Sequence, residues 1–396
     1  MRRRDFLTCA AALALCDPTR IAFAAPLPPD QTLAAQSRLS FRLLQRLSAT
    51  RERGANLVIS PASLAAVLSL IDLGADANLH TSLYRSLGFE DGNAVATLDS
   101  LRVLVGNILR DNSEPLLAAN ALIIDANARP IEATLAKMRA AGAEITVNDV
   151  TDLSVVKRIN DWASARTKGH IPAILDGPPE KGAIALNALY FKDDWERPFD
   201  KAATRPGSFH GLDRVAEVSM MQQKASYSLR REGRFAAVDL SYVHKRYSLV
   251  ALTTTDRPAA AGEFASVAHW LDGNSFSTGR ARLELPRFAV TEQADLLGPL
   301  KTMGLAESLA SPTAFEGLAA APLAITGILQ RTVLRLGEEG TEAAAVTGAI
   351  FATRARPAEE MAIVIDKPFL FALRDRDTGL ILMSGYMGRP ASGPVA

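Results

Sequence analysis

The sequence predicts an α+β fold built as one large domain. Three observations point there. Apolar residues at helical spacing dominate up to about residue 183, strand-like stretches dominate after it, and neither a low-complexity linker nor a repeat period separates the two textures.

The elements follow in order. Leu33, Ser37, Ser40, Phe41, Leu44 and Leu47 fall at helical spacing. Ser60-Pro61 opens an apolar stretch that ends at Gly74: a serine cap, proline at the first helical position and glycine at the end are helix-boundary chemistry. Further helices are predicted over Ala94–Leu109, Ile131–Ala141 and Leu153–Thr167. Ala185–Phe191, Tyr247–Thr254 and Arg280–Val290 read as strands; in the last, Ala281, Leu283 and Leu285 alternate with Arg282 and Glu284, as a half-buried strand requires. Leu329–Leu336 and Met361–Ile365 are strand-like as well. Phe369–Leu373 and Leu380–Tyr386 flank Asp375-Arg376-Asp377-Thr378-Gly379, a predicted hairpin.

The composition is that of an ordinary globular chain: 396 residues, 48% hydrophobic and 22% charged. With 44 Lys+Arg against 43 Asp+Glu, it lacks the basic excess of a general nucleic-acid or polyanion binder. After the N-terminus no apolar run is long enough to span a membrane.

The first residues read as an address. Arg2, Arg3 and Arg4 precede a short apolar stretch from Phe6 to Cys16, and Ala22-Phe23-Ala24 is a small-x-small cleavage site, the grammar of an export signal over residues 1–24. Arg3-Arg4-Asp5-Phe6-Leu7 is similar to a bacterial twin-arginine signal. Cleavage after Ala24 would leave the chain close to neutral. The expected location is periplasmic or extracellular. Both cysteines, Cys9 and Cys16, lie in this segment, so disulfides, thiol catalysis and cysteine metal sites are not expected in the mature protein. Lipid anchoring at Cys16 is disfavoured because Leu15 is not small.

Enzyme signatures fail. Ser154-Val155-Val156-Lys157 fits the S-x-x-K pattern of penicillin-binding enzymes, but S-D-N and K-T-G partners do not occur. There is no G-x-S-x-G, H-E-x-x-H or phosphate-binding loop, and His80, His170, His210, His244 and His269 show no ligand spacing. Neither an enzyme nor a cofactor or metal is expected. The cluster Arg230-Arg231-Glu232-Gly233-Arg234 reads as a solvated turn. Thr341 to Pro357 carries no helical stripe and connects two strand-like stretches. A structureless connection of that length inside a compact domain is usually functional.

Six motifs, in order, carry a family resemblance over roughly residues 33 to 390: Asn56-Leu57-Val58-Ile59-Ser60-Pro61-Ala62-Ser63; Ile159-Asn160-Asp161-Trp162 with Thr167-Lys168-Gly169-His170-Ile171; Leu186-Asn187-Ala188-Leu189-Tyr190-Phe191-Lys192 with Trp195 and Pro198-Phe199; Leu285-Pro286-Arg287-Phe288; Glu338-Glu339-Gly340-Thr341-Glu342-Ala343-Ala344-Ala345; and Lys367-Pro368-Phe369-Leu370-Phe371. Through them the chain resembles the serpins. The resemblance implies three β-sheets, about nine helices and an exposed reactive loop, placed here at about 340–358 of a domain running from 25 to 396. It also implies a function as a monomeric suicide-substrate inhibitor. A target protease cleaves the loop, and the freed loop inserts as a new strand of the central sheet before the acyl-enzyme is hydrolysed.

The residue chemistry agrees with insertion. If Thr341 points inward, so do Ala343, Ala345 and Thr347, all small and uncharged, while Glu342, Ala344 and Val346 face outward. No proline interrupts Thr341–Phe351, so each backbone N–H can join a ladder. Non-inhibitory relatives, which act as binding or chaperone-like proteins, tend to carry charged, bulky or proline residues there. Counting fourteen positions past Gly340, as is usual in inhibitory members, gives a reactive bond at Arg354-Ala355. An arginine suits trypsin-like serine proteases. Arg356 competes, but Pro357 follows it; Thr353 and Ala352 would suit elastase-like enzymes, and cysteine proteases are a further target class. The resemblance also assigns Ser60, Pro61, Ser63, Asn187 and Gln330 to a polar shutter under the central sheet, and Trp195, Arg287 and Glu338 to the breach at its top. Gln330 stands where the family usually has histidine. It donates and accepts but cannot become cationic, so histidine-based control of opening is not expected.

Overall fold

The computed structural model describes residues 29–87, 102–103, 105–106, 108, 114–150, 152–341 and 361–390. In chain order the elements are α1 (Pro29–Ala49), β1 (Leu57–Ile59), α2 (Pro61–Ile71), α3 (Ala77–Ser86), β2 (Leu116–Asp125), α4 (Glu132–Ala140), β3 (Glu144–Asn148), α5 (Leu153–Arg166), β4 (Ala183–Phe191), β5 (Asp193–Asp194), β6 (Arg205–His210), β7 (Val215–Glu232), β8 (Phe235–Ser241), β9 (Tyr247–Thr254), β10 (Ser277–Pro286), β11 (Phe288–Asp295), α6 (Leu297–Leu300), α7 (Ala306–Ala310), β12 (Ile325–Leu336), β13 (Gly340–Thr341), β14 (Met361–Val364), β15 (Phe369–Asp375) and β16 (Ile381–Met387). The predicted helix Ala94–Leu109 falls largely outside the described residues, as do the export segment with Cys9 and Cys16, and the loop from Glu342 to Glu360.

Local chemistry accounts for several boundaries. The Ser60 side chain accepts from the Ser63 N–H, and Pro61 opens α2 where its missing N–H costs nothing. In the β15–β16 hairpin the Asp375 carboxylate accepts from the N–H groups of Asp377 and Thr378, while Gly379 supplies the left-handed turn at φ 78°. The stretch read as one strand over Arg280–Val290 is two. Pro286 ends β10, and the Arg287 N–H turns to the Ser219 carbonyl at 2.9 Å. The chain then enters β11 in a different sheet. Nor do strands wait for the second half: β1, β2 and β3 precede residue 183.

Two ladders organise the molecule. A seven-stranded sheet runs β3-β2-β4-β12, with β11 on β12, and with β13 and β5 continuing at its top. A nine-stranded ladder runs β1-β16-β15-β9-β8-β7-β10-β14, with β6 on β7. It is continuous because β7, 18 residues long, pairs with β6 and β10 and then with β8 at its far end. The described residues thus form two continuous ladders where the resemblance implies three sheets, because the length of β7 joins strands on both of its ends. One face of the seven-stranded sheet closes the main core through Ala185, Leu189, Phe191, Leu334 and Leu336; the other face is covered through Leu117, Leu186, Ala188 and Val333 by a smaller cluster with Val155, Ile159 and Ala163 of α5. Among the described residues no helix is long and apolar enough to cross a membrane.

The candidate site: a seam in the central sheet

The centre of the seven-stranded sheet is a direct parallel contact between β4 and β12, in unbroken register from Ile184↔Gly327 to Tyr190↔Val333, with a bulge between Ile325 and Gly327 below it. Above Val333 the two strands part. β13 sits in the gap, antiparallel to both sides: Thr341 pairs with Leu336 and with Asp193, and Gly340 with Asp194. Gly340 and Thr341 of the hinge, which runs from Glu338 to Thr347, are therefore already a strand between the two edges of the seam. Gly340 is dictated by this approach, because a Cβ there would lie 2.2 Å from the Asp193 carbonyl oxygen.

Thr341 faces the main core. It is fully buried, and its hydroxyl shares a 2.7 Å hydrogen bond with that of Tyr242. Tyr242 stacks on Trp195 at 4.4 Å between ring centroids, and burial pushes its phenol well above the usual range. Trp195 holds the start of the hinge twice: its indole N–H donates to the Gly337 carbonyl (3.0 Å) and its backbone N–H to the Glu339 carbonyl (2.7 Å). The Phe199 N–H donates to the Glu338 carbonyl at 2.7 Å. The Glu338 carboxylate, nearly buried, pairs with Arg287 and accepts from the Thr204 hydroxyl at 2.7 Å. Burial alone would raise this acid, but its hydrogen bonds and the charge of Arg287 together outweigh it and hold it below the ordinary carboxylate value. Glu339 pairs with Lys201 at 2.5 Å.

One acid in this region is in the opposite condition. One oxygen of Asp193, whose side chain is 3% exposed, accepts from His244 (3.0 Å) and from the Asp194 N–H (3.0 Å), and its second oxygen has no partner among the described residues. Burial pushes its carboxyl above the ordinary value in spite of His244.

Lower down the seam, Gln330 is buried and forms a reciprocal pair with the backbone of Ser60: it accepts from the Ser60 N–H at 2.6 Å and donates to the Ser60 carbonyl at 3.0 Å. The Ser60 hydroxyl donates to the Ser63 hydroxyl at 2.8 Å. Asn187 lies beside Gln330 in register, but its amide donates to Asn120 of β2 at 2.7 Å and it bonds to neither serine; its carbonyl oxygen has no partner among the described residues. Asn120, Asn187 and Gln330 thus form a polar row across three central strands.

Several residues here went unread in the sequence. Asn120 had a signal, an amide inside the apolar strand Leu116–Asp125. Tyr242, Thr204, Lys201, Asp193 and His244 had none, since they meet the hinge only through pairings of 99 residues or more, or through one another. Glu342, Ala343, Ala344, Ala345, Val346, Thr347, Arg354 and Ala355 lie outside the described residues. No group of three or more metal-ligating side chains occurs among the described residues.

The geometry defines a class: a protein whose hinge leads from one strand of a closed central sheet into the mouth of that sheet's own seam. The sequence profile of the serpin (serine protease inhibitor) family matches residues 34–390, and the chain belongs to that family. It is 28% identical over 380 residues to the leukocyte elastase inhibitor of Bos taurus, covering 91% of this chain and all of the relative. It is 26% identical over 382 residues to neuroserpin of Homo sapiens, covering 91% and 92%. Among solved structures it resembles an Arabidopsis serpin in its native stressed conformation (TM-score 0.80, 23% identity, covering 92% of this chain and 100% of the other). Members of the family are generally protease inhibitors that bind target proteases, and they are not enzymes.

Proposed function

We propose that the protein is an exported inhibitor that traps trypsin-like serine proteases as acyl-enzymes at Arg354-Ala355 by inserting its cleaved loop between β4 and β12. Its place is the periplasm or the exterior, its working form a monomer. The observation that carries this reading is Thr341: buried, facing the core and antiparallel to both edges of a seam that is closed below it.

Continuing the two registers of Thr341 without a bulge gives the consequence. Ala343 and Ala345 follow it onto the core face, and six residues on, Thr347 comes to lie between Asn187 and Gln330. Small side chains go under the sheet, and a hydroxyl arrives beside the Asn187 carbonyl oxygen that the closed sheet leaves unpartnered. One strand replaces a single β4–β12 ladder by two. At a net ~0.5–1.5 kcal/mol per bond, about ten added bonds contribute on the order of 5–15 kcal/mol, comparable to the stability of a domain. The protein supplies a scissile bond and this stored free energy. The chemistry of acylation belongs to the protease.

The test is incubation with trypsin followed by denaturing gels and mass spectrometry of the released fragment. The expected result is an SDS-stable complex and cleavage after Arg354. Cleavage with no covalent complex across a panel of serine and cysteine proteases would remove the inhibitor reading, and cleavage elsewhere would remove Arg354.

A further inference from the structure

We propose that Lys192 and Arg335, on either side of the seam's mouth, are positioning residues that receive the Glu342 carboxylate as the first new residue of the inserting loop. This rests on the insertion proposed above. Arg335 lies on β12 between Leu334 and Leu336, both in the main core, so its side chain leaves the sheet on the opposite face. Lys192 lies between Phe191 and Asp193, both buried, and leaves on that same face. Its backbone N–H donates to the Pro115 carbonyl at 2.9 Å, which keeps the residue in the sheet where β4 ends. The β4–β12 register, carried two residues past Tyr190↔Val333, sets Lys192 opposite Arg335. Both side chains are half-buried.

Glu342 lies outside the described residues, and its inserted place follows from the pairings of Thr341. Thr341 faces Leu336 on one side and Asp193 on the other. One residue further into the seam, the same two registers put Glu342 between Arg335 and Lys192. The β4–β12 register sets those two cations at one level independently. Thr341 points into the core, so the next side chain points out, onto the face that both cations share. Adjacent strands lie about 5 Å apart, so the carboxylate would have a cation at cross-strand distance on each side.

The other charges near this slot leave it cationic. Asp194 is on the same face but level with Gly340, so it meets Glu342 only diagonally. Glu114 is already engaged: a 3.0 Å hydrogen bond from Lys168, with the charges of Lys192 and His170, holds it below the ordinary carboxylate value. Above the slot, Glu339 pairs with Lys201 and Glu338 with Arg287. Arg335 has an interaction of its own in the closed sheet, and a guanidinium with five N–H donors can keep one and still take a carboxylate. Glu342 is the first residue beyond β13, so its ion pairs form before Ala343 and the residues after it have entered. They bias the opening step towards insertion while the acyl-enzyme is still intact.

The test measures how far a single cut in the loop raises the melting temperature, with Glu342→Gln made in two backgrounds: the unaltered chain and the charge-reversed variant K192E/R335E. A metalloprotease makes the cut, beyond Thr347 as checked by mass, because it forms no acyl-enzyme and is not trapped. In the unaltered background Glu342→Gln should reduce the rise by about 1–3 °C, since an acid between two cations is lost. In the reversed background the same change should increase the rise by about as much, since an acid no longer enters between two acids. At about 1 M salt, where the Debye length is ~3 Å, both differences should shrink by half or more. A role for Glu342 in packing alone would give one sign in both backgrounds. One sign in both, or no effect in either, overturns the receiving site and leaves insertion standing. No rise on cutting the unaltered protein removes insertion, and the receiving site with it.

Discussion

The lower and upper halves of the seam are closed by different chemistry. At the shutter, Gln330 and Ser60 form a buried, neutral, reciprocal pair. At the breach, Glu338, Arg287, Glu339, Lys201 and Asp193 surround the hinge with ionisable groups, and burial raises the carboxyl of one of them, Asp193, above its ordinary value. A neutral amide latch keeps the same strength at every physiological pH. A charged latch does not. On the proposed insertion mechanism, the lower seam would set a constant resistance to opening, and any response to conditions would belong to the top, where the loop would enter.

The largest expected effect comes from forcing a charge into the seam itself. Thr341→Arg would force a bulky guanidinium into a fully buried site against Tyr242, beside the nearly buried Asp193. The variant should be cleaved by trypsin at the normal site while its covalent complex falls to near zero on denaturing gels. Undiminished complex would mean that Thr341 does not travel under the sheet.

Gln330→Ala comes next. It strands the Ser60 N–H and carbonyl in a buried site, and each lost partner costs about 1–3 kcal/mol. Urea unfolding should register that loss equally at pH 5 and pH 8, because no titrating group is removed. A loss that varied with pH would break the contrast between the two halves.

The smallest effects are the most diagnostic. Glu338 is held below its ordinary value, so its contribution is present above the unfolded carboxylate range, about pH 4, and is lost as pH falls through the depressed value. Glu338→Gln should lower the melting temperature at pH 7 and lose that deficit on acidification. Asp193 has the opposite sign. Its raised value means the folded state favours the protonated acid, so stability is gained on acidification and lost as pH rises through the folded value. Asp193→Asn should raise the melting temperature at pH 7 and leave it unchanged in acid. Shifts of the same sign for the two variants would contradict the assignment of these acids.

What could be read from the sequence follows the range of the interactions. The β15–β16 hairpin was legible because Asp375 and Gly379 act within a few residues, and α2 because Ser60 and Pro61 cap it locally. β2 left no alternation to read, since eight of its ten residues are buried on one face or the other. β7 was hidden by the polar residues of its outer face, and the Arg280–Val290 stretch kept alternating across Pro286 although the chain changes sheets there. At the site, the hinge and breach residues stood out through family motifs, whereas Tyr242, Thr204 and Lys201 depend on tertiary contacts that local patterning does not encode.

Heat stability before and after a single cut in the loop tests insertion most directly. A net gain of one ladder should raise the melting temperature of the nicked protein by about 10 °C or more over the intact one. A nicked protein that melts with the intact one would mean that β4 and β12 stay closed on each other, and that the hinge at Thr341 is a fixed strand and not the start of a moving one.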